Sequence, residues 1–244
     1  MIGFFEIPFL SAKWENVVVV NFEVDPSVLK QYIPKGTELS PYDETHFVSL
    51  VGFLFKNTKF LNVFPIIPFQ TFEEINLRFY IKRNLSNEVR QAVCFIKEIV
   101  PYEIITLTAR NLYNENYCTY PTKHTWDIKD ENEKTFVYSF EYNSKWNEIK
   151  AVTEGKLKRL KENSFESYIL EHYWGYSSQK DGSTKEYKVY HPSWKYWDVK
   201  SYNLDIDFEL VYGTTFSTFL SKKPHSVFVA EGSKIFVSKG KRIA

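Results

Sequence analysis

Hydrophobic and polar positions alternate with period two along much of the chain. Asn16–Val24 (NVVVVNFEV) is a β-rich run that meets Asp25-Pro26. An N-cap residue followed by proline predicts a short helix through Tyr32, ended near Pro34 and Gly36. His46–Phe55 (HFVSLVGFLF) reads as a strand covered on both faces, and Val63–Gln70 as a proline-rich loop. Phe72–Lys82 (FEEINLRFYIK) alternates cleanly. Val89–Ile99 is its expected antiparallel neighbour across the turn residues Asn84, Ser86 and Asn87. Ile104, Leu107, Thr108 and Leu112 recur at helical spacing after Pro101, predicting a helix over 101–112.

Further along, Tyr117–Trp126 and Thr135–Tyr142 are predicted to pair, and Lys150–Asn163 reads as a polar, basic region. Ser164 is a candidate N-cap for a short helix or strand ending at Gly175, and Gln179–Ser183 signals a hairpin turn. Lys185–His191 and Trp194–Val199 read as strands, and Leu204–Tyr212 as a short helix ended by Gly213. Ser226–Glu231 and Ile235–Lys239 are expected to form a closing hairpin across Gly232-Ser233. About ten strands and three or four short helices, joined by short turns, predict a mainly β (α+β) fold: a closed or nearly closed antiparallel barrel with helices packed outside.

Composition sharpens this. Of 244 residues, 21 are Phe, 17 Tyr and 6 Trp, with a single Met, so the core is built from rings and β-branched side chains that suit sheets. The length suits a single domain over 1–244. Lys plus Arg (31) nearly equals Asp plus Glu (30), which argues against a nucleic-acid partner or a polybasic membrane clamp. No stretch reaches the roughly 18 apolar residues of a membrane helix, and the N-terminus lacks the basic region of a signal peptide. Cys94 and Cys118 have no CxxC spacing and read as free thiols of a cytoplasmic protein. No HxH, HExxH or GxGxxG spacing occurs, so neither a metal nor a nucleotide cofactor is expected.

The candidate chemistry lies on the alternating strand. Ile75, Leu77, Phe79 and Ile81 share one face, and Glu74, Asn76, Arg78 and Tyr80 the other. Two arrangements fit: a half-buried strand whose polar side meets water, or a barrel wall whose polar side lines a lumen. In the second, Arg78 suits a carboxylate or enolate, Asn76 adds an amide, and Glu74 is an acid or base. Along Tyr117–Trp126, Lys123 is a candidate amine nucleophile or a solvated edge residue, and His124 a base or a structural histidine. Glu171-His172 is a candidate ligand-orienting pair or a backbone-bonded element end.

FLSAKWENVVVVNFEVDPSVLKQYIPKGTEL, VSLVGFLFKNT, FEEINLRFYIKR, FIKEIVPYEIITLTARNLYNENY, ILEHYWGY and VFVAEGSKI, in this order, resemble the YqjF-like family of uncharacterised proteins within the acetoacetate decarboxylase-like superfamily. The resemblance covers nearly the whole chain and implies a cone-like barrel around a pocket, with Glu74 at the superfamily's acidic position. It also exposes a departure. Where the decarboxylases carry Gly-Tyr-Pro-Lys-Lys, this chain has Asn114-Glu115-Asn116-Tyr117-Cys118, so Tyr117 stands at the Schiff-base lysine and Cys118 at its neighbour. Lys123 lies about 20 Å further on at about 3.3 Å per residue. The expectation is a small-molecule-binding barrel for a carboxylate- or carbonyl-containing ligand, without Schiff-base chemistry and without acetoacetate decarboxylase activity; an enzyme of this kind would be lyase- or hydratase-like. Glu74 and Tyr117 are its catalytic candidates, with Asn76, Arg78, Arg110 and His172 as ligand contacts. The alternative is a non-catalytic sensor or structural module whose barrel is filled by its own aromatics.

Overall fold

The computed structural model describes residues 8–61, 64–65 and 69–243. The strands are β1 (Leu10–Glu23), β2 (Glu38–Leu39), β3 (Phe47–Phe60), β4 (Phe64–Pro65), β5 (Phe72–Asn84), β6 (Val89–Val100), β7 (Tyr117–Thr119) and β8 (Thr122–Ile128). They continue as β9 (Lys134–Tyr142), β10 (Lys145–Arg159), β11 (Trp174–Ser178), β12 (Thr184–Tyr190), β13 (Lys195–Asp205), β14 (Ser226–Ala230), β15 (Lys234–Val237) and β16 (Lys241–Ile243). The helices are α1 (Glu103–Tyr113), α2 (Phe165–Leu170) and α3 (Phe208–Leu220).

Seven strands close a ring in the order β1-β3-β5-β6-β11-β12-β15 and back to β1. Six junctions are antiparallel and one, β6–β11, is parallel. An odd-membered ring cannot alternate direction all the way round, so one parallel junction is obligatory. It falls where the long excursion between β6 and β11 permits it.

Strand β1 serves two sheets. Leu10–Lys13 pairs with β15, whereas Val17–Asn21 pairs with β14, which leads on through β13, β10 and β9 to β8. This second sheet and α3 cover the outer barrel wall: Ile75, Leu77, Phe79 and Ile81 share one core with Phe136, Tyr138, Phe140, Ile149 and Phe216. A second core faces inward, with Val17, Val51, Phe53, Phe55, Phe72 and Tyr80 packed near α2 residues Ile169 and Leu170. Sheet faces buried on both sides explain the nearly uninterrupted apolar run of β3.

Several elements depart from their sequence expectation. The turn after Asp25 forms two 3-10 segments, Pro26–Val28 and Lys30–Tyr32, with Asp25 Oδ1 accepting from Ser27 N at 2.8 Å. Lys150–Asn163 is largely the continuation of β10, whose Asn147, Ile149, Ala151 and Thr153 are buried in strict alternation. Pro121 splits the strand expected over Tyr117–Trp126 into β7 and β8. Gly213 (φ 81°) kinks α3 rather than ending it. β14 and β15 form no hairpin with each other, because each pairs with a different half of β1. The proline-rich loop expected over Val63–Gln70 lies largely outside the described residues. Among the described residues no helix is long and apolar enough to cross a membrane.

Candidate functional site

All seven ring strands contribute side chains to one cavity of about 200 Å³, which is the barrel lumen. Its walls are apolar and aromatic, built from Trp14, Phe53, Phe55, Phe72 and Phe95, and these rings leave the lumen open. Glu74, Asn76 and Arg78 point into it from β5. The polar side of this strand therefore faces the hollow, while its apolar side packs beneath the second sheet.

Glu74 is 3% exposed. Its Oε1 accepts from Asn76 Nδ2 at 2.9 Å and its Oε2 from the Tyr117 hydroxyl at 3.1 Å. Burial pushes its carboxyl up to about 7, against the pull of the Asn76 and Tyr117 hydrogen bonds and the Arg78 charge. Tyr117 projects from β7, whose register with β6 sets it beside Glu98. Burial and the surrounding carboxyls hold its phenol well above the usual range, so it remains a donor.

Arg78 is half-buried. Its Nη2 donates to the Ile169 carbonyl at 3.3 Å, its Nε is buried without a partner, and no carboxylate lies within ion-pair distance of it among the described residues. His172, 8% exposed, stacks on Tyr80 with ring centroids 4.8 Å apart, and neither ring nitrogen has a hydrogen-bond partner among the described residues. Burial and the neighbouring Arg78 push its pKa down to about 3, so it is neutral at pH 7 and offers one donor and one acceptor.

Further polar residues line the lumen that alternation did not single out, among them Glu98, Glu115 and Tyr187. Glu98 is re-aimed by a β-bulge. Arg78 pairs with Phe95 but Leu77 pairs with Lys97, so Ile96 is an extra residue in β6. Unbroken alternation from Val93 and Phe95 would point Lys97 inward. The bulge turns Glu98 inward opposite Asn76 and sends Lys97 outward, where its Nζ bonds the Val211 carbonyl. Asn116 secures the bulge, donating from Nδ2 to the Ile96 carbonyl at 2.8 Å and accepting from Glu98 N at 3.0 Å. Glu115 follows the left-handed cap residue Asn114 (φ 54°) at the end of α1 and accepts from the Tyr187 hydroxyl. Tyr187 finds room because its cross-strand partner is Gly175, where a Cβ would come within 2.2 Å of the ring.

Burial and then the charges of Glu115 and Glu74 push Glu98 well up. Burial and Glu74 raise Glu115 to about 8, against the Tyr187 hydrogen bond and the Lys185 charge. Among the described residues no three His, Cys, Asp or Glu side chains are grouped to hold a metal ion.

The remaining candidates lie elsewhere. Arg110 does not enter the lumen: it is exposed, and its Nε donates to the Tyr117 carbonyl at 2.7 Å, bracing β7 from outside. Lys123 Nζ sits 3.8 Å from the centroid of the Trp146 ring on the exposed side of β8. No lysine lines the lumen among the described residues, and none of the others in the chain is a lysine. His124 Nδ1 lies 2.5 Å from Glu73 Oε1, on the opposite face of β5 from Glu74. Glu171 accepts from the Tyr173 hydroxyl.

The fold has close counterparts among solved structures. Acetoacetate decarboxylase from Legionella pneumophila superposes with a TM-score of 0.66 at 13% identity, covering 97% of this chain and 87% of that one. The enduracididine biosynthesis enzyme MppR, complexed with pyruvate, gives 0.68 at 11% identity over 100% and 93%. An acetoacetate decarboxylase-like enzyme from Sphingomonas wittichii RW1 gives 0.62 at 10% over 96% and 92%. At such identities the likeness is one of fold. In sequence, the uncharacterised protein YqjF of Bacillus subtilis (strain 168) is 26% identical over 105 residues, a stretch spanning 43% of this chain and 41% of that one. Residues 11–234 match the uncharacterised conserved proteins grouped as DUF2071, and the chain belongs to that family.

Proposed function

We propose that the lumen binds a small carboxylate-containing carbonyl compound, such as a 2-oxo acid, without forming a Schiff base. The observation that carries this reading is the state of Arg78: a guanidinium inside an apolar cavity, with a buried, unpartnered Nε and no carboxylate in ion-pair reach among the described residues. A half-buried cation lodged in an apolar wall without a counter-ion favours the arrival of an anion, and the planar guanidinium matches a carboxylate in two parallel hydrogen bonds. His172, also unpartnered, supplies a second contact beside it. The ligand's carbonyl then faces Glu74 and Tyr117, where the phenol donates to developing negative charge and Glu74, titrating near neutrality, moves a proton. That pairing suits lyase- or hydratase-like chemistry. A lumen of about 200 Å³ is below the about 300–1,000 Å³ of drug-sized pockets, in keeping with a small acid. The fold neighbour MppR, complexed with pyruvate, supports the same ligand class.

The test is calorimetric titration of pyruvate and acetoacetate into the wild type and Arg78→Ala. Binding to the wild type is expected, weakened about 10- to 100-fold in the variant, the loss of one or two charge-assisted hydrogen bonds. No binding of either acid, or equal binding by both proteins, overturns the reading.

A further inference from the structure

With its carboxyls ionised, the Glu98–Glu115 side of the lumen has more hydrogen-bond acceptors than donors. Glu74, Glu98 and Glu115 bring six carboxyl oxygens, and Asn76 adds its amide oxygen. Against these stand three donors: Asn76 Nδ2, given to Glu74, the Tyr117 hydroxyl, shared between Glu74 and Glu98, and the Tyr187 hydroxyl, given to Glu115. Two of the acceptors, Asn76 Oδ1 and Glu98 Oε2, are buried with no partner among the described residues, on residues only 2% and 1% exposed. Asn76 and Glu98 are direct cross-strand neighbours, so the two unpartnered oxygens belong to one spot in the lumen wall. Buried acceptors left in this state are rare in folded proteins, and each marks a place for a retained proton, a water or a bound group.

We propose that the Glu98–Glu115 end of the lumen is a subsite for an alkylammonium group, so that the ligand carries a carboxylate at Arg78 and a protonated amine beside Glu98, Glu115 and Asn76. An ammonium brings three N–H donors and no acceptor, which matches this wall once its carboxyls are ionised. The identity of the ligand's other end rests on the carboxylate reading given above. Asn76 and Arg78 are two residues apart on β5, about 7 Å, which a chain of four or five carbons spans. The groups facing this end are Glu74, Asn76 and Arg78 from β5, Glu98 from β6, Glu115 and Tyr117 after α1, and Tyr187 from β12. Lys185 lends charge from outside, its Nζ bonded to the Leu112 carbonyl. In the empty lumen these carboxyls retain protons, because burial and mutual repulsion disfavour their charge. An arriving ammonium reverses that balance and expels protons.

Three probes separate this subsite from the carboxylate reading: pentanoate, 5-aminopentanoate and pentylammonium, titrated by calorimetry at pH 7.5 in buffers of different ionisation enthalpy. 5-Aminopentanoate is expected to bind the wild type about tenfold or more tighter than pentanoate, with proton release that pentanoate does not show. Glu98→Gln/Glu115→Gln removes this advantage while pentanoate binding persists; Glu98→Gln alone carries the same test if the double variant does not fold. Equal affinities for the two acids, or an advantage that survives in the variant, overturns the ammonium subsite and leaves the carboxylate reading standing. Glu98-dependent binding of pentylammonium without any binding of pentanoate supports the subsite and overturns the carboxylate reading. Binding of none of the three overturns both.

Discussion

Glu186 and Glu98 are each 1% exposed, yet their surroundings are opposite. Glu186 faces outward from β12, one residue before Tyr187, whose phenol faces in. Its Oε1 accepts from Arg90 Nη1 at 2.8 Å, and its Oε2 from Arg83 Nη1 and the Tyr176 hydroxyl, both at 2.8 Å. Burial would raise its carboxyl, but Tyr176, Arg83 and Arg90 outweigh that and hold it below the ordinary carboxylate value. Arg90 in turn lies over Trp174, 4.0 Å from the ring centroid, and Lys241 of β16 approaches Oε1 at 3.6 Å. Glu98 is as inaccessible to solvent, and among the described residues it has no cation in ion-pair reach and one oxygen without a partner; its pKa is raised. The same residue types, carboxylate, arginine and tyrosine, form a completed network outside the barrel. Inside it the arginine and the carboxyls are held apart. The outer cluster holds strands together, and the inner one leaves polar groups facing the lumen without partners among the described residues.

The largest consequence falls on the finished network. Glu186→Ala leaves Arg83 and Arg90 facing each other with their shared anion gone and unties β16 from β12. We expect a loss of about 3 kcal/mol, the low end for breaking a buried ion pair because both arginines reach the surface. Urea unfolding measures it, and a loss below about 1 kcal/mol would mean that the network is ornamental and the comparison mistaken.

Gly175 links the two clusters, since it sits opposite Tyr187 while its neighbour Tyr176 serves Glu186. A Cβ at Gly175 would lie 2.2 Å from Tyr187 Cζ, so Gly175→Ala must expel the ring and strip Glu115 of its phenol donor. Overpacking of this kind costs about 1–3 kcal/mol. Thermal unfolding should show that cost, while Tyr187→Phe, which keeps the ring and loses only the hydroxyl, should cost less. A Gly175→Ala variant as stable as wild type would show that Tyr187 has another place to go.

The half of the lumen that was legible in the sequence and the half that was not differ for a physical reason. Glu74, Asn76 and Arg78 lie on a strand that alternates without interruption, so period two assigns them to one face, and the resemblance to a barrel family suggests that this face looks inward. Glu98 was hidden because a single extra residue, Ile96, inverts the parity of β6, and no composition cue marks that bulge. Glu115 lies in a loop, where no periodicity applies, and Tyr187 depends on a glycine directly opposite it on β11. The failed Ser226–Lys239 hairpin has a related cause. Local turn signals at Gly232-Ser233 were real, with Gly232 at φ 73°, but β1 carries its own register shift between Glu15 and Val18 and takes both strands as partners at different points along its length. Arg110 illustrates the converse, a charged residue close in sequence to Tyr117 that reaches its backbone from the solvent side.

The smallest effect distinguishes the two clusters most directly, because its sign differs between them. Glu74, Glu98 and Glu115 have folded-state pKa values above the unfolded ones, so between those values the folded protein binds more protons, and its stability falls as pH rises. The window begins near 4.5, but below about 6.5 it overlaps with His172, whose depressed pKa works the other way, and with the lowered carboxylates such as Glu186. Above about 6.5 those groups have finished titrating, and the lumen carboxyls dominate. Wild-type stability should therefore decline from about pH 6.5 to 8, by at most about 1.4 kcal/mol per pH unit for each proton lost. Glu98→Gln should flatten that decline and leave the protein at pH 8 no less stable than wild type, since the amide is neutral without the proton that the buried carboxyl must hold at rising cost. Glu186→Gln should instead be destabilising at pH 8, where its carboxylate is fully ionised and paired. Chemical unfolding at closely spaced pH values checks both variants. An unchanged slope in Glu98→Gln would mean that the inner carboxyls are already ionised and matched, and the contrast between a finished and an unfinished cluster would then have no basis.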